Sequence, residues 1–263
     1  MNADIENEDR ILSDFLRSLG PWRDHLIVGG GYALIIFKFF LTAQKGGNPP
    51  VGTRDIDTLL QRKVPQASHK DIATHLKEAG FKQVSKDFDD PANEAYVKEI
   101  NGAEIEIEFL TDDAARKNKS KSVFIAGVVA QPLSYLKLSL NNSIEFKTLS
   151  GESGWVVTPA AWIFHKGLTF PKRTDRIKVY KDLYGIWYAA TQLGELSEQA
   201  ISELTYLAQQ ASPKWHQTLK NNLTEWAENA TPADWLKLEA QDPYGKLRKA
   251  NFERLVKTLT LAN

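Results

Sequence analysis

The chain has no cysteine, which leaves it without disulfide bonds and without thiolate metal sites. It also has no excess of charge, because 33 basic residues balance 33 acidic ones. A net charge of zero gives no overall field that would draw the protein onto nucleic acid or an anionic membrane, so any site for a polyanion must be local. The 263 residues are nevertheless enough to bury a substantial hydrophobic core.

The chain also has no hydrophobic run long enough to cross a bilayer. The most apolar segment, Tyr32–Leu41, has about half the necessary length and contains Lys38, which favours a buried helix. The first ten residues are acidic, unlike the basic start of a secretory signal. We therefore expect a soluble, cytoplasmic protein without a membrane partner.

The order of the hydrophobic patterns divides the chain in two. Up to about residue 153, segments that alternate like strands are interleaved with segments of helical spacing, and the remainder is almost continuously helical in pattern. Glu8–Leu19 is the first predicted helix, and Asp55–Leu60 and Glu104–Phe109 are predicted strands. We therefore predict an α+β protein with an α/β domain at residues 1–153 and a helical domain at residues 154–263.

Capping residues predict where several helices begin. Ser68 is predicted to cap a helix that ends near Ala79. Ser212 and Thr231 are each followed by proline and are predicted to cap helices of the second domain. Thr231 and Asp234 also have the spacing of a capping box.

Three consecutive glycines, Gly29–Gly31, follow a short apolar strand pattern and precede a predicted helix. Glycine lets the backbone approach a ligand closely, and the unpaired N–H groups at a helix start favour an anion such as phosphate. The alternative is a tight turn that merely needs small residues. Taken alone the cluster favours that alternative, because it is not the GxGxxG dinucleotide fingerprint.

Asp55 and Asp57 are two residues apart on a predicted strand, so their side chains point to one face while Ile56 enters the core. Adjacent carboxylates repel each other unless a cation neutralises them, and hard oxygen ligands suit Mg²⁺. The alternative is a solvated sheet face, which the apolar Leu59 and Leu60 disfavour. The pair therefore indicates a magnesium site.

A later strand carries alternating glutamates, and its pattern alone favours an exposed amphipathic strand. If this strand pairs beside the aspartate strand, however, one glutamate completes a cluster of three carboxylates able to hold two metal ions for phosphoryl or nucleotidyl transfer. Glu108, nearest the end of the strand, is the first choice for this third ligand, and Glu106 is the second.

A local cationic patch lies between Phe164 and Asp182, and its basic residues are Lys166, Lys172, Arg173, Arg176, Lys178 and Lys181. Asp182 is interpreted either as the surface partner of Lys178 one helical turn away or as a semi-buried acid that orients a basic group. A solvated helix face is the alternative for the whole patch, and a solvated loop is favoured for the basic stretch from Arg116 to Lys121.

Five motifs occur in a characteristic order along the chain: VGGGYAL, GTRDIDTLL, EIEFLTD, WIFHKGLTFPKR and YKDLYGIW. In this order they resemble the nucleotidyltransferase fold of the DNA polymerase beta superfamily, and within it the AbiEii-type abortive-infection toxins. The separation of Gly31 and Asp55 leaves room for one helix and a loop, as that fold requires. The resemblance covers about residues 22–190.

The resemblance implies a small mixed β-sheet flanked by helices, with a helical domain that closes over a nucleotide cleft. The residues that it assigns to the metal are Asp55, Asp57 and Glu108. Those that it assigns to the nucleotide are Gly30, Gly31, Thr53, Lys166, Arg173, Lys181 and Asp182. The chain departs from the family pattern in three respects. Gly29 and Tyr32 flank the glycine pair, where family members often carry Ser or Thr, Val51 stands where many relatives carry Arg, and the third carboxylate is a glutamate.

We therefore predict a Mg²⁺-dependent nucleotidyltransferase that moves NMP from an NTP to a hydroxyl of an RNA, a protein or a small molecule. The AbiEii-type resemblance adds the expectation of a toxin with an antitoxin protein as partner. Two alternatives remain open. One is a module of the same fold that binds nucleotide or RNA without turnover, and the other is an enzyme that nucleotidylates an antibiotic.

Overall fold

The computed structural model describes residues 3–43, 47–87, 92–113, 122–210 and 212–261. The chain forms two compact units. One comprises Met1–Phe40 and Gly52–Val157, and the other comprises Leu41–Val51 and Thr158–Asn263. The domain boundary predicted at residue 153 stays a prediction, and the basic stretch from Arg116 to Lys121 lies entirely outside the described residues.

The first unit combines helices and strands. Its helices are α1 (Ala3–Leu19), α2 (Gly30–Ile36), α3 (Ile72–Glu78) and α4 (Leu136–Leu140). Its strands are β1 (Leu26–Val28), β2 (Asp55–Leu60), β3 (Lys82–Ser85), β4 (Glu94–Ile100), β5 (Ala103–Asp112), β6 (Val123–Ile125), β7 (Val128–Leu133), β8 (Ser143–Lys147) and β9 (Ser153–Val157).

The second unit is helical over its described residues from Thr158 onward. Its helices are α5 (Pro159–Thr169), α6 (Arg176–Thr191), α7 (Glu195–Gln210), α8 (Pro213–Asn229), α9 (Pro232–Glu239) and α10 (Lys249–Leu261). The predicted change from mixed to helical structure is therefore confirmed. Among the helices described in either unit, none combines the length and apolar character needed to cross a bilayer.

The described strands make one mixed sheet in the order β3-β4-β5-β2-β1-β9-β8. The second half of β5 pairs with β7, which in turn pairs with β6. β2 runs parallel to β5 and β1 runs parallel to β9, while β1 and β2 are antiparallel. The predicted mixed sheet flanked by helices is confirmed, and the two motif-bearing strands β2 and β5 are direct neighbours in it.

Residue alternation along β5 explains which face of the sheet enters the core. Ile105 and Ile107 are fully buried, as is Ile56 on β2, whereas the glutamates alternate to the opposite face. Further along that opposite face, Leu59 and Leu110 pair across the two strands and pack with α4. The carboxylates of β2 and β5 are therefore bordered on one side by an apolar cluster.

Three of the predicted caps can be compared with the structure. The helix predicted to begin at Ser68 begins later, because the Asp71 side chain accepts the Thr74 N–H at 2.8 Å. Ser212 is the N-terminal cap residue of α8 and Pro213 is the first helical residue, as predicted, although the Ser212 side chain makes no capping hydrogen bond. The capping box of Thr231 and Asp234 is confirmed.

Aromatic residues hold the second unit together. Trp226, Trp235 and Phe252 form a cluster of edge-on contacts, with centroids 4.8 to 5.9 Å apart. Tyr188 on α6 donates to the Asn48 carbonyl at 2.7 Å, which ties the short early segment of this unit to the helices. These contacts agree with a packing role for the tryptophans.

Candidate active site

The glycine turn begins where β1 meets β2. Gly29 N–H donates to the Asp57 carbonyl at 2.8 Å, which continues the strand pairing by one residue. Gly30 then adopts a φ of +55°, a left-handed conformation that disfavours other residues. A Cβ atom at Gly30 would lie 1.7 Å from Asp57 Oδ2. The missing side chain is therefore what lets the Asp57 carboxylate lie against the start of α2.

The next residue of the turn, Gly31, leaves room for the side chain of Thr53. A Cβ atom at Gly31 would lie 3.1 Å from Thr53 Cγ2. Thr53 Oγ1 in turn accepts the Asp55 N–H at 3.2 Å, at the point where β2 begins. Gly30, Gly31, Thr53 and the two aspartates are therefore neighbours, as the sequence-based hypothesis requires.

The pairing of β2 with β5 places four carboxylates on one face of the sheet. Asp55 lies opposite Glu106, and Asp57 lies opposite Glu108. Residues that pair in a parallel sheet point to the same side, and neighbouring strands lie about 4.8 Å apart. Asp55 is exposed and the other three are half-buried. The structure therefore brings together the three predicted metal ligands and the second-choice glutamate.

Lys86, at the end of β3, is a basic residue of this face that the sequence did not single out. Its ammonium forms a short ion pair with the Glu106 carboxylate. This pair, followed by the charges of Glu108 and Asp55, raises the pKa of Lys86 despite partial burial. Lys86 therefore places a positive charge next to the carboxylates on this face of the sheet.

Glu108 has a strongly raised pKa. Burial raises its pKa to about 7, and the negative charges of Asp57 and Glu106 add to the effect. The Lys86 charge opposes the rise, and a hydrogen bond with Glu106 favours the protonated form of Glu108. Glu108 therefore lies in a negative environment that a bound cation would relieve.

A second contact that the sequence did not predict joins the residue after the glycine turn to α1. Tyr32, fully buried, donates to the Glu8 carboxylate of α1. Burial raises the pKa of Glu8, and the nearby Arg54 charge partly opposes this. Tyr32, which stands where family members often carry Ser or Thr, thus anchors the first turn of α2 to α1.

The predicted basic residues of the second unit are organised by one acid. Asp182 on α6 is buried and pairs with Lys166 Nζ at 2.7 Å and with Arg173 Nε at 2.9 Å. Burial alone would raise the pKa of Asp182, but the two cations outweigh it and hold the pKa below its usual range. The burial of Asp182 contradicts a surface pair with Lys178, whereas its role as an acid that orients the basic groups of a site stays a prediction, and Lys181 is exposed.

Residues 10–212 match the model of a family described as nucleotidyltransferase, which is more than half of the chain. The chain belongs to the nucleotidyltransferase family. Its structure is similar to that of JHP933 from Helicobacter pylori, with a TM-score of 0.49 and 13% identity over 100% of this chain and 93% of that chain.

A further similar structure is an antigenic nucleotidyltransferase-like protein from Paracoccidioides brasiliensis. Its TM-score is 0.45, with 14% identity over 82% of this chain and 93% of that chain. A comparison with curated proteins gave no match. The family membership agrees with the resemblance seen in the motifs, whereas the AbiEii-type likeness stays a prediction.

The carboxylates of this nucleotidyltransferase fit a divalent cation in chemical type and in backbone position. Oxygen ligands suit Mg²⁺, and Asp55, Asp57 and Glu108 project from one face of two adjacent strands. Among the described residues, no group of three or more His, Asp or Glu side chains is already arranged to hold a metal ion. Side-chain rotation on a fixed backbone would therefore have to complete the site.

The pKa of Glu108 predicts how the stability of the protein changes with pH when a chelator keeps divalent cations away. The folded pKa of about 7 exceeds the usual 4.5, so the folded protein binds this proton more tightly than the unfolded chain. The resulting stabilisation is fully present below pH 4.5 and is lost as the pH rises through 7. Between low and high pH the wild type is expected to lose about 1–3 kcal/mol of unfolding free energy through this group. Glu108→Gln should not show this loss, because glutamine mimics the protonated acid at every pH.

Urea unfolding of the wild type and of Glu108→Gln, each at about pH 5 and about pH 8, measures this difference. The matched control is Glu104→Gln, on the same strand but exposed and opposite Glu99. It should keep the wild-type pH dependence. Equal pH dependence in the wild type and in Glu108→Gln would show that Glu108 has an ordinary pKa.

Asp182→Asn is expected to destabilise the second unit. The side chain of Lys166 is 13% exposed and would lose its partner, with only the Trp162 ring left close to its ammonium among the contacts seen here. Breaking a buried ion pair from one side costs about 3–5 kcal/mol, and the partial exposure of Arg173 brings the expected loss to about 2–4 kcal/mol.

Denaturant unfolding followed by tryptophan fluorescence measures this loss of stability, because the second unit contains Trp162 and the Trp226 cluster. Lys181→Met, at the exposed neighbouring position, is the control and should change the free energy of unfolding by less than about 0.5 kcal/mol. An Asp182→Asn protein as stable as the control would contradict the ion-pair argument.

Proposed function

We propose that this protein transfers an NMP group from an NTP to a hydroxyl group of an acceptor, with Mg²⁺ as the metal. The observation that carries the proposal is the parallel register of β2 and β5. It places Asp57 directly opposite Glu108, with Asp55 on the same face and Gly30 against the Asp57 carboxylate. Family membership supports the reaction class.

Asp55, Asp57 and Glu108 are the proposed ligands of two Mg²⁺ ions. When bound, the metal would neutralise charge on the α-phosphate and lower the pKa of the acceptor hydroxyl. Asp57 or Glu108 would take the proton of that hydroxyl. The acceptor oxygen then bonds to the α-phosphorus, the bond from that phosphorus to the β-bridging oxygen breaks, and pyrophosphate leaves.

The triphosphate is proposed to bind through backbone and cationic groups. In the first unit these are the N–H groups of Gly30 and Gly31 and the hydroxyl of Thr53. The motif resemblance also assigns Lys166, Arg173 and Lys181 to the nucleotide, and within the second unit Asp182 holds the first two through its ion pairs. Positive groups fixed in place before the reaction stabilise the charge that develops on the leaving group.

The acceptor is proposed to be an RNA, a protein or a small hydroxylated molecule. A toxin role with an antitoxin protein as partner, suggested by the AbiEii-type motifs, belongs to the same proposal. The chain has no net charge, so a polyanion could be attracted only by a local group of basic residues. Such a group is exposed on the second unit and supports a polyanionic acceptor or the triphosphate as ligand: Lys172, Arg173, Lys178 and Lys181.

The test is the incorporation of label from each α-labelled NTP into total RNA, total protein or candidate small molecules. We expect a labelled product that requires a divalent cation and disappears with a chelator. Calorimetric titration with NTP in the presence of Mg²⁺ is run beside it. Nucleotide binding without any product would favour the module that has lost turnover, and labelling confined to aminoglycosides or lincosamides would favour the antibiotic-modifying enzyme.

A further inference from the structure

Lys86 lies in an unusual place for a lysine beside a proposed cation site. Its ammonium contacts Glu106, and the pair is only partly exposed, with 37% of the lysine side chain and 22% of the glutamate side chain accessible. The charges of Glu108 and Asp55 also act on Lys86. One positive side chain therefore lies among three of the four acids on this face.

The sheet register explains how a lysine from another strand reaches these acids. β3 pairs with β4, and β4 pairs with β5, so Lys86 must extend across β4 to contact Glu106. On the shared face, β4 presents Ala95 opposite Glu108. Opposite Glu106 on the same face, β4 carries Val97, so the side chains that this strand presents to the two glutamates are uncharged.

The ion pair distinguishes two glutamates that the strand pattern presents as equivalent. Glu106 has its charge compensated by Lys86, and it lies opposite Asp55 near the exposed start of β2. Glu108 lies opposite Asp57, whose carboxylate lies against Gly30. A divalent cation that approaches Glu106 would meet the repulsion of the ammonium, whereas Glu108 with the aspartates forms the more negative position.

We propose that Lys86 is a positioning residue that holds Glu106 out of the ligand set of the divalent cation and thereby lowers the cation affinity of Asp55, Asp57 and Glu108. The inference rests on the proposed function, because it assumes that these three residues are the ligands.

Calorimetric titration of the full chain with Mn²⁺, at a pH of about 8.5 and without nucleotide, measures this effect independently of catalysis. Lys86→Met is expected to bind Mn²⁺ about 3- to 10-fold more tightly than the wild type, since a partly screened positive charge has been removed. Lys86→Arg keeps the charge and should bind within about 2-fold of the wild type. Lys86→Gln is a second neutral variant in case the methionine variant folds poorly.

A second pair of variants tests the role of Glu106. Glu108→Gln is expected to weaken Mn²⁺ binding at least about 10-fold. Adding Lys86→Met to Glu108→Gln should recover part of this loss, because the released Glu106 can then serve as a ligand. A purely structural role of Lys86 predicts no such recovery.

The outcomes separate this inference from the proposed function. If Asp55→Ala and Glu108→Gln weaken Mn²⁺ binding but both neutral Lys86 variants bind no more tightly than the wild type, the role of Lys86 is overturned and the site stands. If neither carboxylate variant weakens binding, the proposed site and the Lys86 role fail together.

Discussion

Asp57→Asn is expected to reduce nucleotidyl transfer by about 10³-fold or more, and Asp55→Ala by a similar factor. Asparagine keeps the size of the side chain and removes its charge. The loss is large because β2 supplies two of the three proposed metal ligands, Asp55 and Asp57, whereas β5 supplies only Glu108. A single remaining carboxylate on β2 would bind a divalent cation weakly.

Steady-state transfer of label and Mn²⁺ titration of the same variants measure this expectation. The control is Glu104→Gln, which removes one negative charge from the same face of the sheet but lies outside the paired set, opposite Glu99. It should transfer label at close to the wild-type rate. If Asp55→Ala or Asp57→Asn transfers label as fast as this control, the proposed mechanism is wrong.

Much of the fold could be predicted because the information is local. The alternation along the predicted strand Glu104–Phe109 implies one apolar face, and the structure buries its residues Ile105, Ile107 and Phe109. The capping box of Thr231 is also local and was correct. The strand pair β8–β9 was not predicted, because the partners of the short segments Ser143–Lys147 and Ser153–Val157 are fixed by the sheet that they join.

The site was predictable in its residue types but only conditionally in its geometry. Asp55 and Asp57 share a face by their spacing alone. Whether Glu108 or Glu106 faces Asp57 depends on the register between strands some fifty residues apart, which no local pattern determines. Lys86 lay beyond prediction for the same reason, since it reaches Glu106 across an intervening strand.

The second unit shows the same limit in a single residue. The sequence left Asp182 either as the partner of Lys178 or as an orienting acid, and helical spacing alone supported the first. The contacts with Lys166 and Arg173 depend on how α5, α6 and the turn between them pack. Family resemblance had indicated these positions, and packing explains why they occur together.

Gly30→Ala is expected to abolish transfer, with a loss of at least about 10²-fold, and to weaken Mn²⁺ binding. The new Cβ atom would lie 1.7 Å from Asp57 Oδ2 and 2.6 Å from Asp57 Cγ, so the carboxylate must move away. The backbone at φ +55° adds a cost of about 1–2 kcal/mol for any residue other than glycine. One methyl group thus strains the turn and displaces a proposed ligand.

Gly102→Ala separates these two effects, because Gly102 has a φ of +76° and nothing lies within 4 Å of a Cβ atom built there. Both alanine variants should lose stability in urea unfolding, since both strain the backbone in the left-handed region, and Gly30→Ala should lose more because its Cβ atom also overlaps the Asp57 carboxylate. Only Gly30→Ala should lose transfer and Mn²⁺ binding. Equal loss of activity in the two variants would mean that general destabilisation is responsible, and full activity in Gly30→Ala would mean that the position of the Asp57 carboxylate against this turn is unimportant for the reaction.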